Sequence, residues 1–230
     1  MSFDIAAIAT IASVWVLPVL IAITFHEAAH GYVAWKLGDD TAQQLGRVTF
    51  NPLRHIDPFG TVVLPALLIL TKAPFLFGWA KPVPVDFRRL GAPRRDMVWV
   101  AAAGPGINIA LAVASAALIH IALLLPFSAA AWCTHVLENS ILINVMLAVF
   151  NMLPLPPLDG GRVAVGLLPD SLAFPLARLE RFGLVILVAL IFFLPYVGDW
   201  FGVSIDLFAW LVAVPANIVI EIIYAAVGLT

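Results

Sequence analysis

The residues of this chain with the clearest capacity for chemistry are His26-Glu27-Ala28-Ala29-His30. On an α-helix, positions i and i+4 lie one turn apart on the same face, so His26 and His30 can present two imidazole nitrogens to one metal ion. Glu27 stands beside them, placed to take a proton from a water molecule that the metal activates. Spacing alone is a modest signal; the setting strengthens it. Two imidazoles and a carboxylate within a long apolar run are expensive unless they act together.

A catalytic zinc needs a third protein ligand and an open position. Asp39, Asp40, Asp57, Asp86, Asp96, Asp170 and Glu180 fall in polar connectors, where solvation or capping is the default role. Asp159 differs, because it follows three prolines in an apolar stretch at the depth and on the side expected for His26 and His30. Its competing role is to cap a helix starting near Gly161. Asn108 and Asn151 are polar groups in otherwise apolar spans. Two roles are open to them: bonding between helices, or binding an unwound substrate backbone or an oxyanion. Gly104-Pro105-Gly106 lets a neighbouring backbone come close beside the metal. His55, in a proline-framed connector, is a candidate gate or accessory ligand, whereas His120 and His135 fall toward the far face as structural groups.

These side chains must be positioned by membrane-embedded helices. Of 230 residues, 63% are hydrophobic and 11% charged, against about a quarter charged in a soluble domain. The composition implies an all-α polytopic membrane protein in contact with the lipid bilayer. We treat residues 1–230 as one domain, with a catalytic core over about 5–165 and C-terminal helices over about 178–228. The net charge of −2 offers no basic face for nucleic acid, and Cys133 alone allows no internal disulfide. Apolar runs predict spans over about 5–37, 97–125, 136–153, 182–197 and 205–227. Residues 58–77 hold a shorter run broken by Pro65, which would make a sixth span if it crossed. If it instead dips in and returns, the connectors 36–57, 72–96 and 162–181 share one face and hold all 12 Lys and Arg. By the positive-inside rule that face is cytoplasmic, and the chemical groups lie toward it. This gives five spans, with the N-terminus outside and the C-terminus inside. The compositions of 46–50, 61–64 and 81–85 are strand-like, predicting a small membrane re-entrant β-hairpin region between the HExxH helix and the next span.

Taken together, His26-Glu-Ala-Ala-His30, Gly104-Pro-Gly-Ile-Asn108 and Asn151-Met-Leu-Pro-Leu-Pro-Pro-Leu-Asp-Gly-Gly161 resemble the site-2 protease family of intramembrane zinc metalloproteases. Gly46-Arg-Val-Thr-Phe-Asn-Pro52 and Gly78-Trp-Ala-Lys-Pro-Val-Pro84 resemble a compact bacterial branch of that family, without a PDZ or CBS domain. The likeness covers roughly residues 20 to 165. It implies one Zn2+ per chain held by His26, His30 and Asp159, with Glu27 as general base and acid. It also implies that Asn108 and Asn151 hold an unfolded strand of a transmembrane protein or peptide substrate, in a bacterial cytoplasmic membrane. The rival class is a non-enzymatic transporter or metal-binding membrane protein, for which Asn217 and Glu221 in the last span would form a polar pathway. No internal symmetry of the kind transporters show accompanies them. Oligomeric state is left open by the sequence.

Overall fold

The computed structural model describes residues 5–71 and 78–229, and every regular element among them is helical. In chain order the α-helices are α1 (Ile5–Lys36), α2 (Thr41–Gln44), α3 (Leu64–Leu70), α4 (Pro93–Ala122), α5 (Phe127–Asn151), α6 (Asp159–Leu167), α7 (Asp170–Arg178), α8 (Glu180–Val188), α9 (Leu194–Trp200) and α10 (Val214–Val227). Five stretches are long and apolar enough to cross a membrane: Ala9–Lys36, Pro93–Ala122, Phe127–Asn151, Glu180–Trp200 and Ala209–Val227.

Prolines shape these helices in two ways. α1 and α4 run continuously through Pro18 and Pro105. Elsewhere, π-helical turns at Pro58–Val63, Ala189–Phe193 and Ala209–Ala213 lead directly into α3, α9 and α10, each with proline at its second position: Pro65, Pro195 and Pro215. A proline ring clashes with the carbonyl four residues back and cannot donate to it. Widening the preceding turn relieves both problems without breaking the rod.

α1, α4 and α5 pack together as the centre of the molecule. Ala22, Ala34, Ala112 and Ala116 are completely buried, so small side chains allow the close helix approach on which membrane packing depends. α10 adds Ala216 and Ile223 to a cluster with Ile119, Ile141 and Val145. The ring of His120, in the last turn of α4, bonds to the Val227 carbonyl at 2.8 Å. α10 therefore ends beside the end of α4 remote from His26 and His30. That is the end of the bundle where Trp132 and Asn139 of α5 bond to Ser13 and to the Val14 carbonyl of α1. α8 begins at the level of Asp159, where Glu180 pairs with Arg162, and α10 packs along α4 until its last turn reaches His120.

Residues 38–90 leave the bundle and return to the point of departure. The Gly91 N–H donates to the Leu37 carbonyl at 3.0 Å, so the excursion makes no net crossing. Residues 72–77 of the expected re-entrant segment lie outside the described residues. Within the rest, Pro58–Leu70 is helical, and the strands expected over 46–50, 61–64 and 81–85 do not form. The backbone donors that a ladder would use are taken by other groups. Lys81 N–H goes to the His55 carbonyl at 2.9 Å, Val83 N–H to Glu27 at 2.7 Å, and Asp86 N–H to the buried Asp39 carboxylate at 2.7 Å. Pro82 and Pro84 have no donor to give. Arg47 donates to the Lys81 carbonyl at 2.6 Å, completing the attachment of a strap over residues 78–86. At its end the Arg88 guanidinium clamps the Asp86 carboxylate and holds its pKa below the ordinary value.

Candidate metal centre

α1 carries His26 and His30 one turn apart, and α6 delivers Asp159 from the other side. His26 Nε2 and His30 Nε2 are 3.0 Å apart, and Asp159 Oδ2 lies 3.2 and 3.3 Å from them. The three residues are 8, 9 and 6% exposed, so water does not screen the cluster. A tetrahedral zinc with bonds of about 2.0–2.1 Å spaces its ligand atoms roughly 3.3 Å apart, which matches this triangle.

The donor set fits a cation for a second reason. His26 Nδ1–H donates to Asn108 Oδ1 at 2.6 Å, and His30 Nδ1–H donates to the Val100 carbonyl at 2.7 Å. In neutral rings with Nδ1 protonated, Nε2 bears a lone pair. Two lone pairs and a buried carboxylate oxygen then converge with no hydrogen between them, and Asp159 Oδ2 has no hydrogen-bond donor. A shared cation resolves that arrangement. Oriented imidazoles backed by a carbonyl or amide oxygen are the usual outer shell of such sites.

Local sequence explains each placement. Gly104 lets α4 lie against the ligands: a Cβ there would fall 2.4 Å from His30 Nε2 and 2.6 Å from His26 Cε1. Gly160 and Gly161 let the start of α6 pack into the preceding turn, where added Cβ atoms would meet the Met152 carbonyl and the Pro156 nitrogen at 2.2 Å each. The far end of α6 is pinned by Arg94 of α4, which bonds to the Gly166 and Leu168 carbonyls and to Asp170. Asp159 is the first residue of α6, where the helix dipole favours an anion, and its carboxylate faces the imidazoles.

A cavity of about 280 Å³ opens onto this cluster. Glu27, Asn151, Arg162 and the strap residues Pro82, Val83 and Val85 are among its lining groups. Between Pro82 and Pro84 only Val83 has an N–H, and that group fixes the Glu27 carboxylate.

The other expected residues divide. Asn151 reaches the cavity, with Nδ2 bonded to the Leu147 carbonyl at 3.0 Å. Asn108 is completely buried, contacts His26 and does not line the cavity. His55 is buried outside the metal cluster, where its ring bonds to the Thr49 carbonyl and its own carbonyl holds Lys81. Asn217 and Glu221 are exposed on α10, away from the cavity. Sequence reading missed Val100 and Val83, which act through backbone atoms and leave no trace in side-chain type. It also missed Asn144, which is polar and sits in an apolar run, a signal that could have flagged it.

The chain is also similar to known proteins. Residues 119–194 match the profile of peptidase family M50. The chain is 39% identical over 181 residues to YwhC of Bacillus subtilis (strain 168), named as a zinc metalloprotease; the match covers 76% of this chain and 78% of YwhC. It is 32% identical over 182 residues to Rip2 of Mycobacterium tuberculosis (strain ATCC 25618 / H37Rv), named likewise, covering 79% of this chain and 67% of Rip2. No solved structure matches.

Proposed function

This chain belongs to peptidase family M50 and is an intramembrane zinc metalloprotease, and from that membership we propose that it cleaves peptide bonds within or beside transmembrane segments of other membrane proteins. In this reading His26, His30 and Asp159 hold one zinc ion per chain, and Glu27 is the general base and acid. The observation that carries it is the triangle of Nε2, Nε2 and Oδ2 with edges of 3.0, 3.2 and 3.3 Å.

His26, His30 and Asp159 would hold the zinc, which would supply Lewis acidity toward water and the scissile carbonyl. Glu27, on the same turn of α1 as His26, takes the proton from the attacking water and returns it to the leaving amine. The Val83 N–H holds that carboxylate at the cavity rather than letting it swing toward lipid. Asn151 lines the cavity and would contact substrate there, while Asn108 instead supports His26. A helical peptide bond is shielded by its own hydrogen bonds, so the substrate must unwind to lie along the cavity between the strap and α6. Arg162 lines the cavity and Arg94 holds the far end of α6, and by the positive-inside rule we read this side as cytoplasmic.

The test uses purified protein in detergent and a helix-destabilised transmembrane peptide. Cleavage should stop with a zinc chelator and with Glu27→Ala, while Glu27→Ala still binds zinc. Full cleavage by that variant would refute the assignment of Glu27 and the reaction built on it.

A further inference from the structure

A buried polar chain extends from the metal ligand His26 into the apolar centre of the bundle. Asn108 Nδ2 donates to the Ala22 carbonyl at 3.2 Å and to Asn144 Oδ1 at 2.7 Å. Asn144 Nδ2 donates to the Ser140 carbonyl at 2.8 Å and approaches Ser140 Oγ at 3.3 Å. Ser140 Oγ in turn lies 2.8 Å from Ser115 Oγ of α4. Asn108 and Asn144 have no exposed surface.

The polarity of this chain is fixed from its far end. A backbone carbonyl can only accept, so the Ser140 carbonyl turns the NH2 of Asn144 toward itself and the Asn144 oxygen toward α4. That oxygen, together with the Ala22 carbonyl, claims both hydrogens of the Asn108 NH2. The Asn108 oxygen is then left facing His26 Nδ1. An acceptor at that point requires the hydrogen on Nδ1 and leaves Nε2 bare for the metal.

We propose that Asn144 is a positioning residue for the metal centre, setting the Asn108 amide so that His26 presents Nε2 as a ligand. This rests on the reading of His26 as a zinc ligand and goes beyond it, because Asn144 touches neither metal nor substrate. Nothing else about Asn144 calls for a polar group. An apolar residue of its size would fill the same space between α4 and α5.

The experiment measures metal binding, so its failure is distinguishable from failure of the protease assignment, which is read by cleavage. Zinc affinity of the purified full-length protein in detergent is measured by competition with a chromophoric chelator. The cobalt-substituted protein is followed by its visible absorption. Asn144→Leu and Asn144→Ala should weaken zinc binding roughly 10- to 100-fold and alter the cobalt spectrum. Asn144→Asp should keep both near wild type, since a protonated carboxyl in this apolar site still donates to Ser140 and accepts from Asn108. Thermal unfolding of the metal-free proteins provides the control for folding. Unchanged zinc affinity in either apolar variant would overturn the proposal. So would zinc loss in all three variants in step with loss of metal-free stability, which would make Asn144 a packing residue only.

Discussion

Replacing Gly104 with alanine sets two physical effects against each other. Helix propensity favours alanine by about 1 kcal/mol, so a view limited to α4 expects a stabilised helix. The geometry expects the reverse for the metal. The new Cβ would stand 2.4 Å from His30 Nε2, where ordinary contact begins at 3.4 Å, a shortfall of about 1 Å. The rings cannot yield freely, because His26 is tied to Asn108 and His30 to the Val100 carbonyl. Both partners sit on α4, so a retreat of that helix takes the supports away with it. Without metal the rings can give up those two bonds and swing aside, whereas coordination would hold them in place, so most of the strain falls on the metal-bound state. Overpacking of this kind costs about 1–3 kcal/mol, or roughly a 5- to 150-fold weaker zinc affinity. The assay is zinc competition, with Gly106→Ala as control, since a Cβ at Gly106 meets nothing within 4 Å. Wild-type affinity in Gly104→Ala, or an equal loss in Gly106→Ala, would refute the reasoning.

Further expectations follow from the same geometry. Asp159→Asn should lose zinc by elemental analysis, yet the metal-free protein should melt no lower than wild type, because the amide can donate to the bare Nε2 atoms; full zinc occupancy would demote Asp159. Glu27→Gln should keep zinc and the bond from Val83 while cleavage falls by roughly 10²–10⁴; near-normal turnover would exclude Glu27 as the base. Val83→Pro removes the one N–H that fixes Glu27, so kcat should drop with zinc content intact, while Val83→Ala should behave as wild type. A rise in KM with kcat unchanged would instead make the strap a substrate contact alone.

The cluster of His26, His30 and Asp159 was legible in the sequence because its chemistry is carried by side chains. Two histidines at helical spacing and an acid in a proline-broken apolar turn can be read from residue type and depth. The long apolar helices were equally plain. What could not be read was where backbone groups bond. The runs at 46–50, 61–64 and 81–85 looked like strands by composition, but Glu27 and the His55 carbonyl claim donors of the last run, and 61–64 continues into α3. Asn108 was expected to reach substrate or pack between helices. Its 2.6 Å contact with His26 depends on the lateral closeness of α1 and α4, which no spacing within either helix encodes.

The hydrogen bond joining Leu37 to Gly91 gives the molecule a natural hinge of variation. Because the intervening chain departs and arrives at one junction, its length and content can change without altering the spacing of the helices that hold the reactive centre. Lineages could therefore retune what enters the cleft by editing this insert away from Val83, whose N–H holds Glu27, while His26, His30 and Asp159 keep their places.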